Sequence, residues 1–158
     1  ADAAAGRTSF DLWTTVMKAT TETRTSSSVL AADAALKFAM AANTSYKVRM
    51  YVGMDTAAAA DFKSRLSGPA APTLVRSFIL TYTGVAPAAG AVRVESAYSA
   101  TDITIISAGA QAGGYAKVEC LIYNGANAGD WQFLWAQNTS DVGNTSVLAG
   151  SYLEWHQV

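Results

Sequence analysis

The sequence predicts an all-β fold, an antiparallel sandwich or barrel preceded by an extended N-terminal arm. Three observations carry this. Residues 115–158 read YAKVECLIYN, GANAG, DWQFLWAQN, TSDVGN and TSVLAGSYLEWHQV, which are aromatic-rich runs separated by Asn/Gly/Asp/Ser turns that continue to the last residue. Residues 45–55 alternate strictly, with Tyr46, Val48, Met50, Val52 and Met54 against Lys47, Arg49, Tyr51 and Gly53, the period of a half-buried strand. Apolar runs recur with turn signals every 8–14 residues along the body of the chain, the spacing of a sandwich or barrel.

The elements follow in chain order. Residues 1–10 are mostly small and polar and are expected to form a flexible arm, with residues 11–158 as one β-domain. Ten extended residues reach at most about 35 Å, far enough to touch a neighbouring subunit. Phe10, Leu12 and Trp13 form an apolar cluster at the base of the arm. Such a cluster gains order only against a partner surface, so the three are expected to lie on a neighbour or a shell.

Residues 11–18 and 22–25 are Thr-rich and extended. Residues 29–42 and 56–66 are rich in strong helix formers, and Thr56 and Gly68 would serve as helix start and stop signals. Against a helix, Leu36, Phe38 and Met40 alternate with Ala35, Lys37 and Ala39, and tertiary pairing often overrides propensity. Both alternatives stay open on the residues alone. Further strands are expected at 45–55, 74–83, 92–98, 102–107, 115–124, 131–137, 146–148 and 151–157, with corners at Gly68-Pro69, Gly113-Gly114 and Asn124-Gly125. The phase of alternation points Val48, Met50, Val52, Val118, Cys120, Ile122 and Phe133 into the core.

Composition narrows the function classes. Net charge is −1, and charged residues make up 15% against the usual ~25%. No basic footprint for nucleic acid and no membrane span or secretory leader is legible, and Ala1 reads as the residue left after loss of an initiator Met. Cys120 alternates with Val118 and Ile122 and reads as a small buried hydrophobe, not a nucleophile served by His156. The three Asn-x-Ser/Thr triplets, at Asn43, Asn138 and Asn144, read as turns. Residues 108–114 (AGAQAGG) lack the ending of a phosphate loop and read as a mobile loop. Residues 124–130 (NGANAGD) lack the ligand spacing of a calcium loop. No catalytic residue, cofactor or metal is expected. The stripe of Trp131, Phe133 and Trp135 suits a core or a subunit interface better than a sugar platform.

Two stretches, DTAAAADFKSRLSGPAAPTLVR (55–76) and NGANAGDWQFLWAQNTSDVGNTSVLAGSYLEWHQV (124–158), resemble a group of tailed-bacteriophage virion structural proteins, and residues 21–52 fit the same group. The resemblance covers roughly residues 11–158. It implies a jelly-roll-like antiparallel β-sandwich, commonly trimeric and without enzymatic activity. The expected function is a capsid decoration or cement protein, located on the virion surface and assembled in the host cytoplasm, with itself and the major capsid protein as partners. A glycan-binding tail-fibre module is the alternative. The contact residues to be expected are Phe10, Leu12, Trp13, Trp131, Trp135, Tyr152 and Trp155.

Overall fold

A computed structural model describes residues 12–70, 74–82, 90–95, 103–107 and 111–158, and side chains over 12–70 and 113–158. The described residues form an all-β sandwich of two antiparallel sheets. The strands are β1 (Thr14–Met17), β2 (Glu22–Arg24), β3 (Ala31–Met40), β4 (Ser45–Thr56), β5 (Phe62–Ser67), β6 (Leu74–Tyr82), β7 (Gly90–Glu95), β8 (Ile103–Ser107), β9 (Gln111–Tyr123), β10 (Gly129–Gln137), β11 (Thr145–Val147) and β12 (Tyr152–Gln157).

The larger sheet runs β1-β12-β4-β9-β6-β7, with β11 bridging β4 and β2; the smaller runs β3-β10-β5-β8. The pairing is nested: β1 with β12, β3 with β10, β4 with β9 and β5 with β8. That nesting places each pair alternately in the larger and the smaller sheet, which is the jelly-roll arrangement. The β6–β7 hairpin extends the larger sheet beyond β9.

Neither helix-prone segment forms a helix: the first is a strand and the second a short turn followed by a strand. In a helix, positions two apart face opposite sides; in a strand they share a face. Leu36, Phe38 and Met40 therefore fill the core together only from a strand, and all three are buried. That burial outweighs the helix propensity of the alanines around them. In the second segment the alanines form a single turn, with the amides of Ala60 and Asp61 on the Ala57 carbonyl, and Asp61 ends it at φ 51°. Phe62 and Leu66 then continue as the inward side of β5.

The core lies between the sheets. Val48, Met50, Val52, Val118, Cys120, Ile122 and Phe133 are all buried, in the phase expected from alternation. Phe133 belongs to the smaller sheet, and with Leu36, Phe38, Met40, Phe62, Leu66, Trp131 and Trp135 it faces the other six across the core. Val118 is fully buried and pairs in register with Met50 and Ile79. Val118→Ala is expected to lower unfolding free energy by about 1–3 kcal/mol in a denaturant melt. A change below about 0.3 kcal/mol would place Val118 on the wrong face.

One loop expectation is corrected. Gln111–Gly114 belong to β9, paired with Thr56 and Met54 across a register shift. Gly113 sits at φ 70° and donates its amide to Asp55 Oδ1 at 2.6 Å. The glycine pair thus serves a bulge within the sheet, which needs the left-handed backbone, and not a corner. Asn124-Gly125 is a corner, but it carries the chain from the larger sheet to the smaller one. Asn124 ties it down through Nδ2 to the carbonyls of Ala41 and Asn127. Asn43, at φ 53°, lies in the β3–β4 turn, and Asn138 and Asn144 flank the β10–β11 connection, as turn residues should.

Candidate functional site

The outward face of the larger sheet carries an aromatic row. Met17, Tyr152, Tyr51 and Lys117 are register partners across β1, β12, β4 and β9. The Tyr51 ring stacks on Tyr152 at 5.9 Å and on Tyr115 at 5.4 Å, with interplanar angles of 16° and 25°. Near-parallel rings at these separations are offset stacks, a favourable arrangement. The three tyrosines are half-buried, and Met17 beside them is 65% exposed. Charges flank the row: Arg49 lies 3.8 Å from Glu154, and Lys117 lies 3.0 Å from Glu119. At the edge, Trp13 packs on the His156 ring at 4.4 Å, and the Arg49 guanidinium covers Trp13 at 4.5 Å. The surface combines stacked apolar rings, phenol hydroxyls and both signs of charge, a composition suited to adhesion.

The residues expected to make contacts fall into separate places. Phe10 lies outside the described residues. Leu12 is exposed, and Trp13 is half-buried against its own domain, so its partial order needs no neighbour. Tyr152 is on the aromatic row. Trp131 and Trp135 require correction: both are buried inside the subunit and present no surface to a partner. Their strand, β10, is flanked by β3 and β5, and the larger sheet covers its apolar side. Trp155 is also turned inward, stacked on Phe38 at 4.6 Å at the margin of the core. Cys120 is buried and its thiol is pushed up to about 12, first by desolvation and then by the nearby Glu119 charge. That environment opposes the thiolate.

Sequence reasoning missed a buried ionic seat beneath the first two strands. Lys18, just after β1, places Nζ 2.8 Å from Asp33 Oδ2 and 3.0 Å from Glu22 Oε2. Asp33 also accepts from the amides of Ala35 and Leu36 and from Trp135 Nε1. Arg24 pairs with Glu22, donates to the carbonyls of Ala31, Ala32 and Trp135, and stacks over the Trp135 ring. Burial alone would raise the Asp33 pKa. The Lys18 hydrogen bond, the two amides and the Lys18 charge outweigh it and hold Asp33 below its ordinary value. The available signal was a lone aspartate inside the apolar run VLAADAALKF.

No family model and no curated protein matches the chain. Among solved structures it is similar, at 10% identity and a TM-score of 0.20, to a chain from a structure of infectious bursal disease virus, Gx strain. The match covers 93% of this chain and 41% of that one, so the chain spans less than half of its length. At that score the likeness is too slight to carry either fold or function.

Proposed function

We propose that the protein is a non-enzymatic structural protein of a phage virion, a decoration protein that binds the head surface as a homotrimer and stabilises the shell. Two things support the reading: the resemblance of residues 55–76 and 124–158 to phage virion proteins, and the aromatic row of Met17, Tyr152, Tyr51 and Tyr115. The row is the observation that carries it. It lies on a continuous sheet, so the rings are held at fixed spacing and lose little freedom on contact. Aromatic residues and Met are the types enriched where subunits meet. Covering them would contribute about 25 cal/mol per Å² of apolar surface. The partners are further copies of the chain and the major capsid protein.

The test is the mass of the isolated protein by light scattering, together with its state in assembled particles. The expected result is three times the 16.5 kDa chain. Tyr51→Ser combined with Tyr152→Ser should shift the mass toward the single chain while the β-sheet circular dichroism stays. A single-chain mass for the parent at micromolar concentration, with no trimer on particles, would sink the reading. The stacked, half-buried rings of the tyrosine row also favour a second reading, a glycan-binding module at a fibre tip. Copy number separates the two: a decoration protein is present in hundreds per virion, a fibre tip in a few dozen or fewer.

A further inference from the structure

We propose that residues 12–24 form an exchangeable clasp. In the assembled oligomer this segment leaves its own sandwich and fills the same seat on a neighbouring copy, whose Asp33 takes its Lys18. The inference rests on the homotrimer reading above and adds the element that links the copies.

The sandwich is closed without the segment. Among the described residues, every member of the buried apolar cluster falls between Leu36 and Leu153. Among residues 12–24, Lys18 alone is buried, and the partly covered Val16 and Trp13 lie outside that cluster. The side-chain attachments are mainly polar: Lys18 to Asp33, Arg24 to the carbonyls of Ala31 and Ala32, and the Thr23 hydroxyl to that of Ser146 at 2.9 Å. Backbone pairing adds β1 on β12 and β2 on β11. All of these bonds are the same whichever copy donates the segment, so exchange leaves their sum unchanged.

The seat cannot stand empty. Asp33 is fully buried and its carboxylate is balanced by the Lys18 ammonium. Withdrawing that cation would leave a buried charge unpaired, which is strongly unfavourable. The segment thus adds no side chain to the apolar cluster, while its seat demands an occupant. A second copy of the segment has the right charge, hydroxyl and strand register.

The connection to β3 suits a hinge. Residues 25–30 span the gap, and Ser26 lies at φ 51°, a backbone region disfavoured for a residue with a Cβ. Ser26 is held there by its amide on the Asp141 carbonyl at 2.7 Å. Straightening the hinge relieves that conformation, and six extended residues reach about 20 Å. Short strained hinges are where swapping begins.

The test is a pair of cysteines, Thr23→Cys with Ser146→Cys, in a Cys120→Ala background. These residues are register partners on β2 and β11, close enough for a disulfide. The assembled full chain is oxidised, its native mass is measured, and it is run on a denaturing gel without reductant. Exchange predicts a native trimer and covalent species up to three times the chain mass. A native trimer that runs as single chains on the gel overturns exchange and leaves the trimer reading standing. A native single chain with an internal crosslink overturns the trimer reading and exchange with it. Should the first pair fail to fold, Thr15→Cys with Glu154→Cys, register partners on β1 and β12, gives the same three outcomes.

Discussion

Replacing Lys18 with methionine is expected to destabilise the fold by about 3–5 kcal/mol at neutral pH, the usual result of removing one member of a buried ion pair. Methionine keeps most of the apolar stem, one atom shorter than lysine, but not the charge. The Lys18 side chain is 5% exposed and that of Asp33 is fully buried, so solvent screens the pair little. Asp33 would keep the amides of Ala35 and Leu36 and the Trp135 indole, three neutral donors without a cation. Those donors place the loss toward the lower end of the range.

The pH dependence separates this mechanism from lost packing. Asp33 has a lowered pKa in the folded chain, so its contribution is fully present above its ordinary value of 3.8. It is lost as pH falls through the lowered folded value. Below that value the carboxyl is neutral in parent and variant alike. The stability gap between parent and Lys18→Met should therefore narrow in acid. Urea melts at neutral pH and in the acid range below 3.8 measure it. A gap that is unchanged between the two, or smaller than about 1 kcal/mol at neutral pH, would show that charge pairing does not hold the clasp.

The core strands were legible because each repeats its pattern for several turns of the alternation. From Tyr46 to Met54 and from Val118 to Ile122, every second residue is apolar, and a one-residue slip would turn each set outward. The bulge at Gly113 was not legible as such, since a glycine pair reads equally as a turn. Its partner, Asp55 Oδ1, is 58 positions away in sequence. The ionic seat was hidden for the same reason: Lys18 and Asp33 are 15 positions apart and Asp33 and Trp135 are 102 apart. The aromatic row is a register effect. Tyr51, Tyr115 and Tyr152 come from three strands and meet only once pairing is fixed. Trp131 and Trp135 show the converse limit. Alternation told which residues share a face of β10, but not whether that face meets a second sheet or a second subunit.

That last distinction has a measurable consequence at Trp135. Its ring is fully buried, stacks on Phe62 at 6.0 Å, lies under Arg24 and donates Nε1 to Asp33. Trp135→Ala removes the ring and the indole donor together, and is expected to destabilise the chain by about 3–5 kcal/mol. Trp135→Phe retains most of the volume and loses the donor; its cost should be about 1–3 kcal/mol, the penalty for one unsatisfied buried acceptor. Asp33 is already bonded to Lys18 and two amides, which favours the small end. If Trp135 were an interface residue, truncation would instead weaken association, and the loss of stability would shrink as dilution dissociates the parent as well. As a core residue it acts within each subunit. Urea melts of parent and variant at two concentrations a hundredfold apart should give the same difference at both. A difference that vanishes at the lower concentration would return Trp135 to the subunit interface.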